Sequence, residues 1–572
     1  MNSGVDFISN FRNHVERNGT KTALKFLDLV DGQVVESSLN YSELDERARA
    51  VAVALRARLE RGDRVLLLYP PGIEFVVGFI GALMAGIIAV PAPVPDGRTT
   101  DHERLIGIAR DAGVKAVLTS SAFAEIVQFG VSDLPSAPLV LATDTVSVED
   151  AERWVPVEID GQTVALVQYT SGSTSEPKGV IVTHANLSEN QREIGAAICS
   201  NEETIGCGWL PHFHDMGLIG LILHPLWCGA SVVLMSPLTF LRRPQLWLEA
   251  LHKYRATITL APNFALAYVA RRVKAETIVQ LDLSSVDTVL TGSEPVQADS
   301  IRGFVDLLSP CGLKPQAVMP VYGLAEATLF VTGASAEAGP VEYKVSGRLL
   351  ARNMIEETTD ASDMHCLVSS GRPQKMEVAI VDLDSETEQP RGRVGEIWLH
   401  GSSIARGYWN KPTETAGTFD GHLRGHGGWL RTGDFGAMLD GQLFVTGRIK
   451  DMIIINGRNI YAHDIELTAR RASPATAAGV GSAFGVGRPE RLVLVQEIDL
   501  KLLPQDESIA SLTGSIHAIL GRECSVRLSK LILVPKGTVA RTSSGKIRRA
   551  HMRELYESGK IASIEPSKSS SD

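Results

Sequence analysis

The sequence predicts an α/β protein, and three changes of texture along the chain predict it. From Tyr41 to about Leu290, helical stretches alternate with short apolar or β-branched runs: YSELDERARAVAVALRARL, then RVLLLYP, then EFVVGFIGALMAG, then IIAVP. RLIGIARDAG and VKAVLTS continue the pattern. Parallel strands need crossover connections, so this alternation implies parallel sheets covered by helices on both faces. After about Gly333, glycines, prolines and turn pairs punctuate short strands such as EVAIVDLD, GEIWLHG and GQLFVTGR, which predicts a smaller, mostly β section. Past Arg448 a compact α+β unit follows, with VGSAFGV and ERLVLVQEI as strands. The closing KSSSD is expected to be disordered.

Composition narrows the class. A chain of 572 residues is too long for one compact core, so a body of several parts with at least one hinge is expected. A net charge of −10 argues against non-specific nucleic-acid binding, which needs excess Lys and Arg. The six cysteines (Cys199, Cys207, Cys228, Cys311, Cys366 and Cys524) form no CxxC pair, which reads as reduced thiols in a cytoplasmic protein. The N-terminal stretch shows no apolar signal core. The longest apolar run, Phe75 to Val90, is shorter than a membrane span and holds three glycines, so no stable membrane insertion is expected.

The most telling local feature is YTSGSTSEPKGV, residues 169–180, in which seven of twelve residues are Ser, Thr or Gly. It lies between two strand-like runs, VALVQ and VIVT. Small residues, hydroxyls and free N–H groups let such a loop wrap a phosphate chain. The nucleotide loop of kinases and GTPases needs Gly directly before Lys and a helix after it; here Pro177 precedes Lys178 and a strand follows. A flexible linker does not sit tightly between two apolar strands. The glycines of AAGVGSAFGVG miss the dinucleotide spacing, with Phe484 where the third should stand, and read as strand and turn.

The loop resembles the phosphate loop of the adenylate-forming superfamily, which holds acyl-CoA synthetases, peptide-synthetase adenylation domains and firefly luciferase. Further segments match that family in the same order: TGSEPV (291–296), VYGLAEAT (321–328), WLRTGDFG (429–436), GRIKDMIIINGRNIYAHDIE (447–466) and RTSSGKIRR (541–549). Within the superfamily the chain is most similar to the fatty acyl-AMP ligases. LPHFHDMGLIG (210–220), VYGLAEATLFV and the GRN-I-Y form of the hinge segment carry that likeness, as do the 67 residues between Thr328 and Glu396, room for the subgroup's extra segment. Ser175, Ser293 and the pair Ala462–His463 depart from the commoner Gly, Ala and Pro.

The resemblance implies a large N-terminal domain (1–448) of two doubly wound α/β subdomains plus a small β-barrel. A small, mobile α+β lid (449–558) and a flexible tail (559–572) follow it. The phosphate loop is 169–180, the extra segment about 342–368, the hinge Lys450 and the catalytic loop 541–549. It also implies ATP and Mg2+, a medium- to long-chain fatty acid, and a phosphopantetheinylated acyl carrier protein or synthase carrier domain in trans. No carrier-domain serine motif stands in the chain.

On the same basis each site residue receives a role. Thr170, Ser171, Gly172, Ser173 and Thr174 would cradle the phosphates, with Lys178 shaping the loop or screening charge. Glu326, a hard oxygen donor, is the magnesium candidate. Asp434 offers two acceptor oxygens to the ribose hydroxyls, and Arg448 completes the clamp. Adenine would lie against Tyr322 and Gly323, with Gly292, Ser293, Glu294 and Pro295 as its floor. Lys546 would stabilise charge moving between carboxylate and α-phosphate. His214, Asp215, Met216 and Gly217 would form the acyl-pocket mouth, with His214 positioning the reacting carboxylate.

Taken singly these residues read blandly: Glu326 as a solvated helix-start acid, Tyr322 as core, Lys546 as part of a basic tail beside Arg541, Arg548 and Arg549. His212, His214 and Asp215 invite a metal or acid–base reading, but no distant carboxylate–histidine motif completes a metal site and adenylation needs no histidine base. Amino-acid adenylation domains carry an Asp near the His214 position to pair with the substrate's ammonium, so His214 favours a plain fatty acid, although a one-residue slip would place Asp215 there. An acyl-CoA ligase is the alternative. A non-catalytic acyl-adenylate sensor is expected to have lost Glu326, Asp434 or Lys546, and all three are present.

Overall fold

The structure, a computed structural model, describes residues 6–95, 99–132, 134, 138–170, 177–334, 339–455, 458–487, 489–524, 526–542 and 545–564. Two large sheets carry the N-terminal part. A six-stranded sheet holds the parallel strands Leu139–Ala142, Ala116–Thr119, Arg64–Leu67, Ile88–Pro91 and Val164–Tyr169, closed by the antiparallel Gly179–Thr183. Their central residues are buried on both faces, which is why they read as unbroken apolar runs.

The nine-stranded sheet sets up the site. Ile205–Gly208, Ile258–Pro262, Thr288–Gly292 and Val318–Gly323 run parallel as neighbours. Their carboxyl ends therefore open on one side, where ligands bind in open α/β sheets. At the far edge the hairpin Thr22–Val30/Gln33–Asn40 joins this sheet in parallel with Ser231–Met235. The alternation read from Tyr41 onwards does not include this pair. Its turn residues, Asp31 and Gly32, both have positive φ (49° and 80°), the geometry a two-residue hairpin loop requires.

The β section expected after Gly333 is a five-stranded antiparallel sheet built around the long strand His426–Leu439. That strand pairs with Gly395–His400 on one side and with Gly421–Leu423 and then Gln442–Arg448 on the other. The stretch expected to be the extra segment folds as the antiparallel pair Glu342–Ser346/Met364–Val368 with a short helix, Gly347–Leu350, between them. It reaches the small domain: Asn459 donates its backbone N–H to the Ala351 carbonyl at 3.2 Å and its side-chain amide to Asn353 Oδ1 at 2.7 Å.

The C-terminal part packs helices on both faces of the sheet Gly481–Val486, Arg491–Ile498 and Lys530–Pro535. Leu492 and Leu494 face one core, with Ile465 and Leu520. Val493 and Val495 face the other, with Met552. This is the period-two alternation of a strand buried on both sides. Residues 559–564, expected to belong to a free tail, run back onto this sheet: the Ile564 N–H donates to Leu533 O at 2.8 Å, and Ile561 packs beside Met552. The remaining tail, 565–572, lies outside the described residues.

Candidate active site

A cleft of about 1180 Å³ runs between the nine-stranded sheet, the five-stranded sheet and the C-terminal part. It brings together Thr170, Lys178, His214, Asp215, Met216, Ser293, Glu294, Pro295, Tyr322, Gly323, Glu326, Asp434, Arg448, Lys450 and Lys546. Ser171, Gly172, Ser173 and Thr174 lie outside the described residues. Gly217 and Gly292 belong one layer behind the cleft surface. A Cβ on Gly217 would collide with the Pro211 carbonyl, and one on Gly292 would stand 2.7 Å from the Val321 carbonyl, so both serve backbone packing.

Tyr322 stands next to the end of its strand with its ring buried, and its hydroxyl donates to Asp434 Oδ2 at 2.8 Å. Arg448 Nε lies 3.2 Å from the other oxygen, Oδ1, because Asp434 and Arg448 are cross-strand partners. The Thr432 hydroxyl accepts the Asp434 N–H, and Glu396 accepts the Gly433 N–H, so the stretch of the long strand just before Asp434 is fixed from two sides. Each Asp434 oxygen thus has one protein partner and keeps a second acceptor direction. The carboxylate in turn raises the Arg448 pKa, while burial and then Asp434 raise that of Tyr322.

On the phosphate side, Lys178 Nζ sits 4.9 Å above the Tyr408 ring, and the Tyr408 hydroxyl donates to Glu326 Oε1 at 2.8 Å. Tyr408 carried no motif in the sequence; it arrives from a segment 82 residues downstream. Glu326 Oε2 has no hydrogen-bond partner among the described residues. A half-buried carboxylate with one oxygen held and one unused fits a hard cation such as Mg2+. Arg104 donates to the Thr170 carbonyl at 3.1 Å and Asp111 accepts from Tyr169 at 2.6 Å, so one helix, Thr99–Ala112, steadies the strand end that enters the loop.

At the expected acyl-pocket mouth, His214 Nδ1 lies 2.7 Å from Asp215 Oδ1. Burial pushes the Asp215 carboxyl up, but the His214 imidazole and the Lys546 ammonium outweigh it and hold it at about 2. His212 takes no part: it is buried against the Phe75 ring at 4.2 Å, and burial lowers its pKa to about 3, so it is a neutral core histidine. No cluster of metal-ligating side chains occurs among the described residues. A π-helix, Met216–Leu223, begins immediately after Asp215. Behind the mouth the cleft wall is apolar, with Ile194, Gly220, Leu260, Leu290, Leu329 and Phe330.

Lys546 lies in a tight loop. The Thr542 N–H donates to Lys546 O at 2.8 Å, the Lys546 N–H returns to Thr542 Oγ1 at 3.1 Å, and Gly545 turns at φ 87°. Burial, then the Arg448 charge, lowers the Lys546 pKa; Asp215, Glu294 and Asp434 oppose them. Three acidic residues hold the loop at its base. Glu497, fully buried, accepts the N–H groups of Gly537 and Val539 at 2.9 Å and of Val480 at 3.2 Å. Beyond the loop, Arg549 pairs with Asp451 at 2.6 Å and with Glu466 at 2.7 Å. Glu497 carries no local sequence signature, whereas Asp451, Glu466 and Arg549 belong to the segments 447–466 and 541–549.

Residues 11–409 match the profile of a family described as AMP-binding enzyme. The chain is 38% identical over 564 residues to the medium-chain-fatty-acid–[acyl-carrier-protein] ligase JamA of Moorena producens (strain JHB), covering 96% of this chain and 94% of that one. It is 38% identical over 597 residues to the long-chain-fatty-acid–AMP ligase FadD32 of Mycolicibacterium smegmatis, with the same coverage. Among solved structures it resembles the fatty acyl-adenylate ligase from L. pneumophila in complex with acyl adenylate and pyrophosphate. That match has a TM-score of 0.76 and 34% identity, and covers 96% of each chain.

Proposed function

Because this chain belongs to the AMP-binding enzyme family, we infer that its cleft performs the chemistry of a fatty acyl-AMP ligase. A fatty-acid carboxylate oxygen attacks the α-phosphorus of ATP, the bond from that phosphorus to the β-phosphate oxygen breaks, and pyrophosphate leaves. A carrier's phosphopantetheine thiolate then attacks the acyl carbonyl; the thioester bond forms and AMP leaves with the former carboxylate oxygen.

Both reactants of the first step are anions, so the site must supply positive charge in fixed positions. Lys546 brings it from the C-terminal side, where adenylate and carboxylate meet. Asp434, oriented by Tyr322 and Arg448, takes the ribose hydroxyls, and Tyr322 with Ser293 to Pro295 borders adenine. Glu326 would hold Mg2+, which supplies charge neutralisation on the phosphates. The Lys178–Tyr408 stack keeps the nearby loop end and Glu326 in register.

The observation that carries the substrate assignment is the His214–Asp215 pair at the head of an apolar wall. Asp215 is engaged through Oδ1 by His214 at 2.7 Å and by the Met216 N–H, and His214 stands where an amino-acid site would present its carboxylate, which favours a plain acyl chain over an amino acid. The lid of residues 449–558 pivots at Lys450, within the short turn Ile449–Asp451. The extra segment, tied to Asn459, restrains that motion.

Product analysis tests the reading. ATP, a fatty-acid panel and a phosphopantetheinylated carrier should give acyl-AMP and then acyl-carrier, with little acyl-CoA when CoA replaces the carrier. Acyl-CoA formed at carrier-like rates would replace this reading with an acyl-CoA ligase.

A further inference from the structure

Outside the reaction centre, one stretch of the cleft rim combines exposed apolar and basic side chains. The helix Pro237–Arg242 buries Thr239 and Phe240 but leaves Leu238 and Leu241 about half exposed, at 53% and 45%. Residues 238, 241 and 242 share one helix face by their spacing, so Arg242 stands beside the leucines. The Leu241 carbonyl accepts the Tyr268 hydroxyl at 2.7 Å, and the Arg272 guanidinium lies over the Tyr268 ring at 6.0 Å. This joins the helix to the end of Asn263–Arg272 in one continuous surface, on which Arg271, Arg272 and Lys274 are also exposed.

Arg243 is paired with Glu249, but Arg242, Arg271, Arg272 and Lys274 have no ion pair with any described carboxylate. In a chain of net charge −10, such a run of unneutralised cations around two exposed leucines is a local exception. Its location matters as much as its charge. Leu241, Tyr268 and Arg271 line the cleft, and Arg271 donates to the Ala477 carbonyl of the C-terminal part at 2.8 Å. The surface therefore borders the seam between the two parts.

We propose that the Leu238–Leu241 helix face, with Arg242, Arg272 and Lys274, docks an acidic carrier protein whose phosphopantetheine arm enters the cleft beside it. The inference rests on the acyl-transfer reading above. A thiol tethered to a protein reaches a recessed adenylate only if its carrier body rests on the rim. Cations around a small apolar centre select a carrier bearing carboxylates around an apolar contact, and they steer its approach. Two leucines on a six-residue helix make a small contact, which suits a partner that must leave after each turnover.

The test uses the full chain with Arg242→Glu/Arg272→Glu and, separately, Leu238→Asp. ATP–pyrophosphate exchange driven by fatty acid should stay unchanged, as should acyl transfer to free pantetheine. The KM for a phosphopantetheinylated carrier should rise about tenfold or more, with the wild type's salt dependence flattened in the charge variant. Wild-type carrier transfer combined with an unchanged carrier KM in both variants overturns the docking surface alone. Loss of binding to phosphatidylglycerol vesicles at unchanged carrier KM overturns it in favour of a membrane contact. A wild type that acylates no carrier overturns both this surface and the transfer reading.

Discussion

The Tyr322 hydroxyl donates to Asp434 Oδ2 at 2.8 Å, joining a parallel strand of the large sheet to the long central strand of the five-stranded sheet 112 residues away. This bond links the two halves of the proposed nucleotide site. Asp434→Ala should weaken ATP binding by the loss of hydrogen bonds to a charged acceptor, about 1.5–3 kcal/mol. The ATP KM is the measurement; an unchanged value at normal turnover would remove Asp434 from the site. Tyr322→Phe should have a smaller effect in the same direction, because Arg448 still orients the carboxylate.

Lys546→Ala should fold and lose most adenylation, on the order of a hundred- to a thousandfold, since a preorganised cation is withdrawn from developing charge. Burial and Arg448 lower its pKa, so the alkaline limb of the wild-type rate should fall below the ordinary lysine range. A profile unchanged by the substitution, or acyl-AMP formed at the parent rate, would contradict the assignment.

Asp215 predicts a pH dependence of stability. Its folded pKa of about 2 lies below the ordinary carboxyl value, so the pair stabilises the fold fully above about pH 4. That contribution, about 2 kcal/mol, is lost as pH falls towards 2. Denaturant midpoints of the wild type and Asp215→Asn should therefore converge across that window. A constant difference would mean that the Asp215 carboxyl is not held below its ordinary value.

Lys450→Pro should form acyl-AMP yet fail to pass it to a carrier, because fixing φ in the turn Ile449–Asp451 traps one pose of the lid. Single-turnover adenylation and carrier acylation, measured separately, give the answer. Equal loss of both would point to misfolding of the turn instead of a trapped hinge.

Much of this site was legible because its chemistry sits in contiguous motifs: YGLAEA brings Tyr322 and Glu326, RTGD brings Asp434 and SSGK brings Lys546. The strands around it were legible from their apolar runs. What escaped was non-local. Tyr408 reaches Glu326 from a segment with no pattern of its own, and Glu497 looks like any strand acid until its three N–H partners are seen. The hairpin Thr22–Asn40 had its signal in Asp31–Gly32, but its second strand is almost wholly solvent-facing and lacks the alternation that marks a half-buried strand. The π-helix after Asp215 has no sequence rule at all.

Arg549 is three positions past Lys546, and Asp451 is one position past Lys450; their 2.6 Å contact couples the two ends of the lid's machinery. With Glu466 as the third member, the lysine loop is tied to the proposed pivot like a crank to its shaft. With the hinge proposed above, rotation at residue 450 would set the place of the ammonium throughout the stroke. One optical ruler between the lid and the body, read near residue 545, would report the phase of the whole cycle, and loosening Asp451 would make that reading drift while the hinge still turned.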